Sequence, residues 1–295
     1  MIFFSRLRKN VPHRKADGGV VSDMVPYIVP SCSEISIPES VNATPAKTLV
    51  KPKITLSVVL FIRNMRASYL AHTLHTLSNQ SYRPTEIVLV ESSTMPDVIA
   101  YDSQIASRYP LVRVVLAPTE TINISYSINV GIQAAVGQYV MTAQADLLYS
   151  KDVVSWVHKL LGPRMVVQSV RGDIPIGFKI ESPDAVHGQW PKLRQGLMLK
   201  QPTLISPGTI IVMPRDWLIE VHALDEIRTP YNYCDSNLLF RASRSGFKTI
   251  LLPWEKCQIL HIGHPIRPEY YTPSMYPAPD IPIVVNPTKW GNIWV

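Results

Sequence analysis

Gly137–Ser150 reads GQYVMTAQADLLYS. Tyr139–Ala143 is an apolar run of strand length, and it stops at Gln144 and the lone acid Asp146. The fold depends on which series of elements this run belongs to. The chemistry depends on whether Asp146 closes a strand or holds a ligand.

Upstream, the series alternates. ITLSVVLFI (Ile54–Ile62) is β-branched and nearly continuous, as a strand buried on both faces should be. SYLAHTLHTLSNQ follows with Leu70, Leu74 and Leu77 at helical spacing and Ser68 as a capping residue. EIVLVESS begins a second strand at Glu86, and Pro96 opens a second helix. VRVVLA (Val112–Ala117) is a third strand, and SYSINVGIQAAVG is a third helix that Gly137 would close. The quoted run is therefore strand four of a β-α-β-α-β-α-β series. Such alternation implies a mainly parallel sheet with helices on both faces, so the expected class is α/β. Ligands of these sheets bind beyond the carboxyl ends of the strands. That edge carries Arg63-Asn64, Glu91-Ser92-Ser93, the loop from Pro118 to Asn123, and Gln144-Ala145-Asp146.

Downstream, KDVVSWVHKLL reads as a helix capped by Ser150, and RMVVQSV as a strand. Residues 171–207 are irregular and rich in Gly and Pro, suited to an acceptor-side loop. GTIIVMPRDWLIEV reads as strand, turn and helix, CDSNLLFRASRSGF as a helix, and KTILLP and QILHI as strands. The expected organisation is a basic, Pro-interrupted, poorly ordered leader (1–52), a folded domain (53–265) and a Pro-rich tail (266–295) that wraps.

The 295 residues carry 46% hydrophobic and 17% charged side chains, enough for a sizeable core. The net charge of +7 favours phosphate-bearing partners, membrane surfaces or nucleic acid without choosing among them. Cys32, Cys234 and Cys257 form no CxxC pair, which fits a reducing compartment. No window reaches the length of a transmembrane helix, and MIFF is too short for a signal core. The expectation is a cytoplasmic protein, or one peripheral at a membrane surface. GxGxxG after the first strand, GxxxxGK[ST] and GxSxG are all missing, so dinucleotide, P-loop and serine-hydrolase chemistry are unsupported.

Three blocks in order resemble the GT-A fold glycosyltransferases, above all the inverting family-2 group. They are LSVVLFIRNMRASYLAHTLHTLSNQSYRPTEIVLVESS, SYSINVGIQAAVGQYVMTAQADLLYS, and DWLIEVHALDE with YNYCDSNLLFRASRSGF. The likeness runs from about Ile54 to His264 and implies a Rossmann-like nucleotide-diphospho-sugar transferase. It further implies a nucleotide-sugar donor, with UDP foremost, a Mn2+ or Mg2+ cofactor, and an acceptor that is a glycan, a lipid-linked sugar or nucleic acid.

Residue by residue, the resemblance places Gln144 and Asp146 at the family's D-x-D. The second acid, the principal metal ligand, is kept, and Gln144 can hydrogen-bond ribose or phosphate. Glu91 and Asn64 fall where the family contacts the nucleoside. Asn129 lies near the donor in the pattern, though a buried amide bonding backbone is its plainer reading. Asp235 is the candidate general base, which takes the proton from an attacking hydroxyl. It is also a good helix N-cap. Cys234 stands where the family has the first acid of a pair. His261 in ILHIGHP fits a late-strand histidine ligand, with His264 the weaker of the two. Two rival readings stay open. One is transfer to a modified base in DNA, which the basic leader would suit. The other is a non-catalytic binding module, since Gln144 and Cys234 replace acids.

Overall fold

The computed structural model describes residues 54–63, 67–200, 210–231, 233–264 and 281–291. Asn64 and the basic leader lie outside them. The alternating half forms as expected: β1 (Leu56–Ile62), α1 (Ala67–Ser78), β2 (Glu86–Glu91), α2 (Pro96–Ala106), β3 (Val112–Leu116), α3 (Ile124–Ala134) and β4 (Tyr139–Gln144). Then come β5 (Leu147–Tyr149), α4 (Val153–Leu160), β6 (Met165–Gln168), β7 (Arg171–Asp173), α5 (Trp190–Leu193) and β8 (Met198–Lys200). The last elements are β9 (Ile210–Pro214), α6 (Arg215–Glu220), α7 (Cys234–Arg244), β10 (Lys248–Leu251) and β11 (Ile259–His261).

Among the described residues, seven strands form one sheet in the order β10-β6-β9-β4-β1-β2-β3. β1 pairs in parallel with both β2 and β4, and β2 with β3. β9 runs antiparallel to both its neighbours, β4 and β6. β1 shows why this sheet needs helices on two faces. Leu56, Val58, Leu60 and Ile62 pack with Leu70, Leu74 and Leu77 of α1 and with Val153, Val154 and Val157 of α4. Val59, on the other face, packs with Ile128 and Ile132 of α3 and with Leu238 and Leu239 of α7. Strands buried on both sides carry no polar alternation.

A second, four-stranded sheet (β5-β11-β7-β8) was not expected. β5, β7, β8 and β11 are three residues each, too short for periodicity to register. Leu148, Leu260 and Ile262 form a small core with Ile174, Val186 and Leu193 from the irregular stretch. Leu147, Tyr149 and Ile259 join the larger core instead.

Three local expectations fail for physical reasons. α1 begins at Ala67, so Ser68 lies inside it rather than before it. The Ser150 hydroxyl does not cap α4: it accepts from the Gln258 N–H at 2.8 Å. Gln80 serves α4 instead, its Oε1 accepting from the Val154 N–H at 3.0 Å. Gly137 does not end α3, whose C-cap is Ala135. Its role is close approach, since a Cβ there would lie 2.6 Å from the Ser57 nitrogen.

Residues 281–291 return to the domain. Arg241, fully buried, donates from Nη1 to the carbonyls of Val221 and Ile283. The Gly291 N–H donates to Glu226 Oε1 at 2.9 Å, and Trp290 is buried beside His222. Among the described residues, no helix is long and apolar enough to cross a membrane.

Gly137→Ala forces β1 and β4 apart at Ser57. Overpacking of this kind costs about 1–3 kcal/mol. The expected result is a lower urea midpoint with an unchanged m-value.

Candidate active site

Asp146 lies where the chain leaves β4 for β5, crossing from the larger sheet to the smaller. Its backbone is held from two sides. Thr73 of α1 donates to the Ala145 carbonyl at 2.8 Å, and the Ile262 N–H donates to the Asp146 carbonyl at 2.9 Å. The side chain is nearly buried, and two histidines meet it. His264 Nε2 is 3.0 Å and His261 Nε2 3.4 Å from Asp146 Oδ2. The three ligand atoms lie within 4.8 Å of one another. Asp146 Oδ1 is buried with no hydrogen-bond partner among the described residues. Burial alone would raise the Asp146 carboxyl. The bonds to His261 and His264 outweigh it and hold the group well below the usual carboxylate range.

One carboxylate and two imidazoles converging at a strand end form a donor set that fits a divalent cation, and the orphaned Oδ1 is the atom such an ion would satisfy. The weighting of the histidines changes. His261 is in the cluster as expected, but His264, the weaker expectation, makes the shorter contact. Gly263 lets both reach it: a Cβ there would lie 2.2 Å from the Ile174 carbonyl oxygen.

Asp173, which sequence reasoning passed over, faces the other edge of His261. Its Oδ1 is 3.3 Å from His261 Nδ1. Arg171 Nε lies 2.8 Å from Oδ1 and Lys200 Nζ 2.5 Å from Oδ2. A lone acid in a three-residue strand carries no sequence signal. Tyr149, fully buried, is pushed well above its ordinary range by burial and by the Asp146 charge, so its phenol stays neutral.

The other expected residues lie outside this cluster. Gln144 ends β4 exposed and available. Asp235 is in the first turn of α7. It is not the N-cap, which is Tyr233 at φ 61. Burial pushes its carboxyl up to about 6, against a small opposing pull from the Cys234 thiol. The segment before α7 is moored to the start of α3, where Ser125 Oγ donates to the Thr229 carbonyl at 2.6 Å. Asp235 stands outside the Asp146 cluster.

Asn129 follows its plainer reading, a buried amide bonding inside the protein. Its amide donates to the Leu224 carbonyl and Glu226 Oε1, both at 2.8 Å, and accepts from the Leu224 N–H at 2.9 Å. Both of its N–H groups are thereby used inside the protein.

Glu91, 1% exposed, also turns inward, with Oε1 accepting from the Ser93 N–H at 2.6 Å. Burial, then the neighbouring Asp102 carboxylate, raises it from 4.5 to about 8, so the acid at this strand end is neutral at pH 7. A pKa raised on folding stabilises the protein fully below the unfolded value, and that stability is lost as pH rises through the folded one. The urea midpoint of the wild type is therefore expected to fall between pH 4.5 and about 8. In Glu91→Gln, which keeps the shape without the titration, this decline flattens.

The profile of glycosyl transferase family 2 matches residues 57–221. A search of curated protein sequences finds no match. Among solved structures, the chain is similar to GalNAc-T7 with UDP, GalNAc and Mn2+, at TM-score 0.56 and 17% identity over 75% of this chain and 46% of that one. It is also similar to the mannosyltransferase PcManGT of Pyrobaculum calidifontis with GDP-Man and Mn2+, at TM-score 0.50 and 18% identity over 70% and 56%. A third is S. aureus TarS 1-349 with UDP-GlcNAc, at TM-score 0.50 and 13% identity over 74% and 61%. The alignments thus span about half to three-fifths of those chains. The shared architecture is the GT-A fold, with its mainly parallel sheet between helices. With the profile covering more than half of its 295 residues, the chain belongs to glycosyl transferase family 2.

Proposed function

We propose that this chain is an inverting glycosyltransferase that moves a sugar from a nucleotide-diphosphate donor to an acceptor hydroxyl with the help of a divalent cation. The observation that carries the reading is the convergence of Asp146, His261 and His264 at the end of β4 in a family-2 chain. A uridine diphosphate donor is the first to test, because two of the similar structures hold UDP or a UDP-sugar.

Each residue has a task in this reading. Asp146, His261 and His264 would hold the cation, and the chemistry it would supply there is positive charge for the donor diphosphate. Gln144, exposed beside them, hydrogen-bonds the ribose or a phosphate oxygen. Asn64 contacts the nucleoside, and Glu91, as a buried neutral acid, shapes the backbone beside it by accepting from the Ser93 N–H. Asp235 takes the proton from the acceptor hydroxyl while the acceptor oxygen attacks the anomeric carbon from the side opposite the diphosphate. The glycosidic bond forms, the sugar–phosphate bond breaks with its electrons going to the nucleoside diphosphate, and the anomeric configuration inverts. An Asp235 poised near 6 is ionised at neutral pH yet basic enough to accept the proton.

Incubation with a panel of nucleotide sugars and Mn2+ tests the activity. Transfer or donor hydrolysis that disappears in Asp146→Ala supports the reading, and failure to bind any nucleotide with or without metal overturns it. Asp235→Asn is expected to cut the rate by about 10²- to 10⁴-fold while leaving nucleotide binding intact. In the wild type kcat/KM should rise with pH through about 6, because the base works only when ionised. Two imidazole ligands favour Mn2+ over Mg2+, which prefers an all-oxygen octahedron. Titration with each ion should give the tighter binding for Mn2+, and equal affinity would argue against the histidines as ligands.

A further inference from the structure

Asp173 has no task in the mechanism above, yet it is the most heavily engaged carboxylate near the cluster. It sits on β7 directly opposite His261 of β11 in the parallel register. Register partners project from the same face of a sheet, so the two side chains stand side by side. The His261 ring lies between two acids, with Nδ1 3.3 Å from Asp173 Oδ1 and Nε2 3.4 Å from Asp146 Oδ2. An imidazole has one nitrogen on each edge. Turning Nδ1 to Asp173 aims Nε2 at Asp146.

Asp173 is itself held in place. Arg171 Nε approaches Oδ1 at 2.8 Å and Lys200 Nζ approaches Oδ2 at 2.5 Å. Arg171 and Lys200 are register partners across β7 and β8, so the smaller sheet delivers both cations to one carboxylate. The Asp173 side chain is only 10% exposed, and buried acids of this kind need such compensation. Arg171, Asp173, His261 and Asp146 thus form a continuous chain of polar contacts, with Lys200 as a second clamp on Asp173. The chain ends on the carboxylate whose other oxygen is orphaned.

Given the cation site proposed above, on which this rests, we propose that Asp173 is a positioning residue for the metal. Its Oδ1, buried with no hydrogen-bond partner among the described residues, faces Nδ1 at 3.3 Å; taking the Nδ1–H there would fix the tautomer and orientation of the His261 ring, so that the Nε2 lone pair meets the ion together with Asp146 and His264. Carboxylate partners of ligating histidines act in this way, and their loss weakens metal binding about 10- to 100-fold. The four-stranded sheet then has a use beyond packing: it carries one ligand and the group that aims it on adjacent strands.

Mn2+ affinity, measured on the full chain by the loss of the free-ion electron paramagnetic resonance signal, tests this without reference to activity. Wild type, Asp146→Ala, Asp173→Ala and Asp173→Asn are compared, with thermal midpoints recorded without metal. Asp173→Ala should bind Mn2+ about 10- to 100-fold more weakly. Asp173→Asn, which loses the charge but keeps an oxygen acceptor for Nδ1–H, should recover most of that loss. If Asp173→Ala does not fold, Asp173→Leu is read in its place. Wild-type affinity in the folded Ala or Leu variant, with binding lost in Asp146→Ala, overturns the role of Asp173 and leaves the cation site standing. An Asn variant as weak as the Ala variant also overturns it, because charge and not the aimed hydrogen bond would then be at work. A wild-type chain that takes up no Mn2+ sinks the cation site, and this proposal with it.

Discussion

A buried carboxylate must be compensated, and at Asp146 the whole architecture bears on that requirement. Removing such a charge from water costs several kcal/mol unless partners replace the lost solvation. The partners here come from the far end of the chain, 115 and 118 residues later in sequence, as His261 and His264. β11 brings them there by pairing antiparallel with β5, immediately after Asp146. The crossing from the larger sheet to the smaller is therefore the point where strand pairing and electrostatics have to agree.

The surrounding packing keeps that point rigid. α1 is pinned to it through Thr73, and Gln80, just after α1, links the start of α4 and the Ser150 carbonyl. On the other face, Asn129 ties α3 to the connection after α6, and Glu226 passes that contact on to Gly291 in the returning C-terminal segment. Several residues in the family-like blocks thus maintain the scaffold. Asn129 bonds inside the protein, and Gly137 packs against Ser57 at the amino ends of β1 and β4, away from the edge that carries Asp146.

Much of this was legible in the sequence. The alternation from Ile54 to Ala143 is written in long apolar runs and helical spacings, and those elements formed within a few residues of expectation. Asp146 was legible as well, since a polar stop after a buried fourth strand falls at a strand end whatever the details. Caps read less well. Ser68, Ser150 and Asp235 all have the right side chain for an N-cap, but a cap depends on where the helix begins, and a neighbour such as Gln80 can take over the bond.

What the sequence by itself determined is the class of the fold and the edge that carries Asp146, because both follow from local periodicity and strand order. Tertiary structure alone decided the rest: the four-stranded sheet, the partnership of His264 with Asp146, the neutral state of Glu91 and the place of Asp173 behind His261. Three-residue strands have no period to detect, and a carboxyl group takes its charge state from groups that are distant in the chain. Only folding brings Asp102 to Glu91, or β7 and β5 to the two sides of β11.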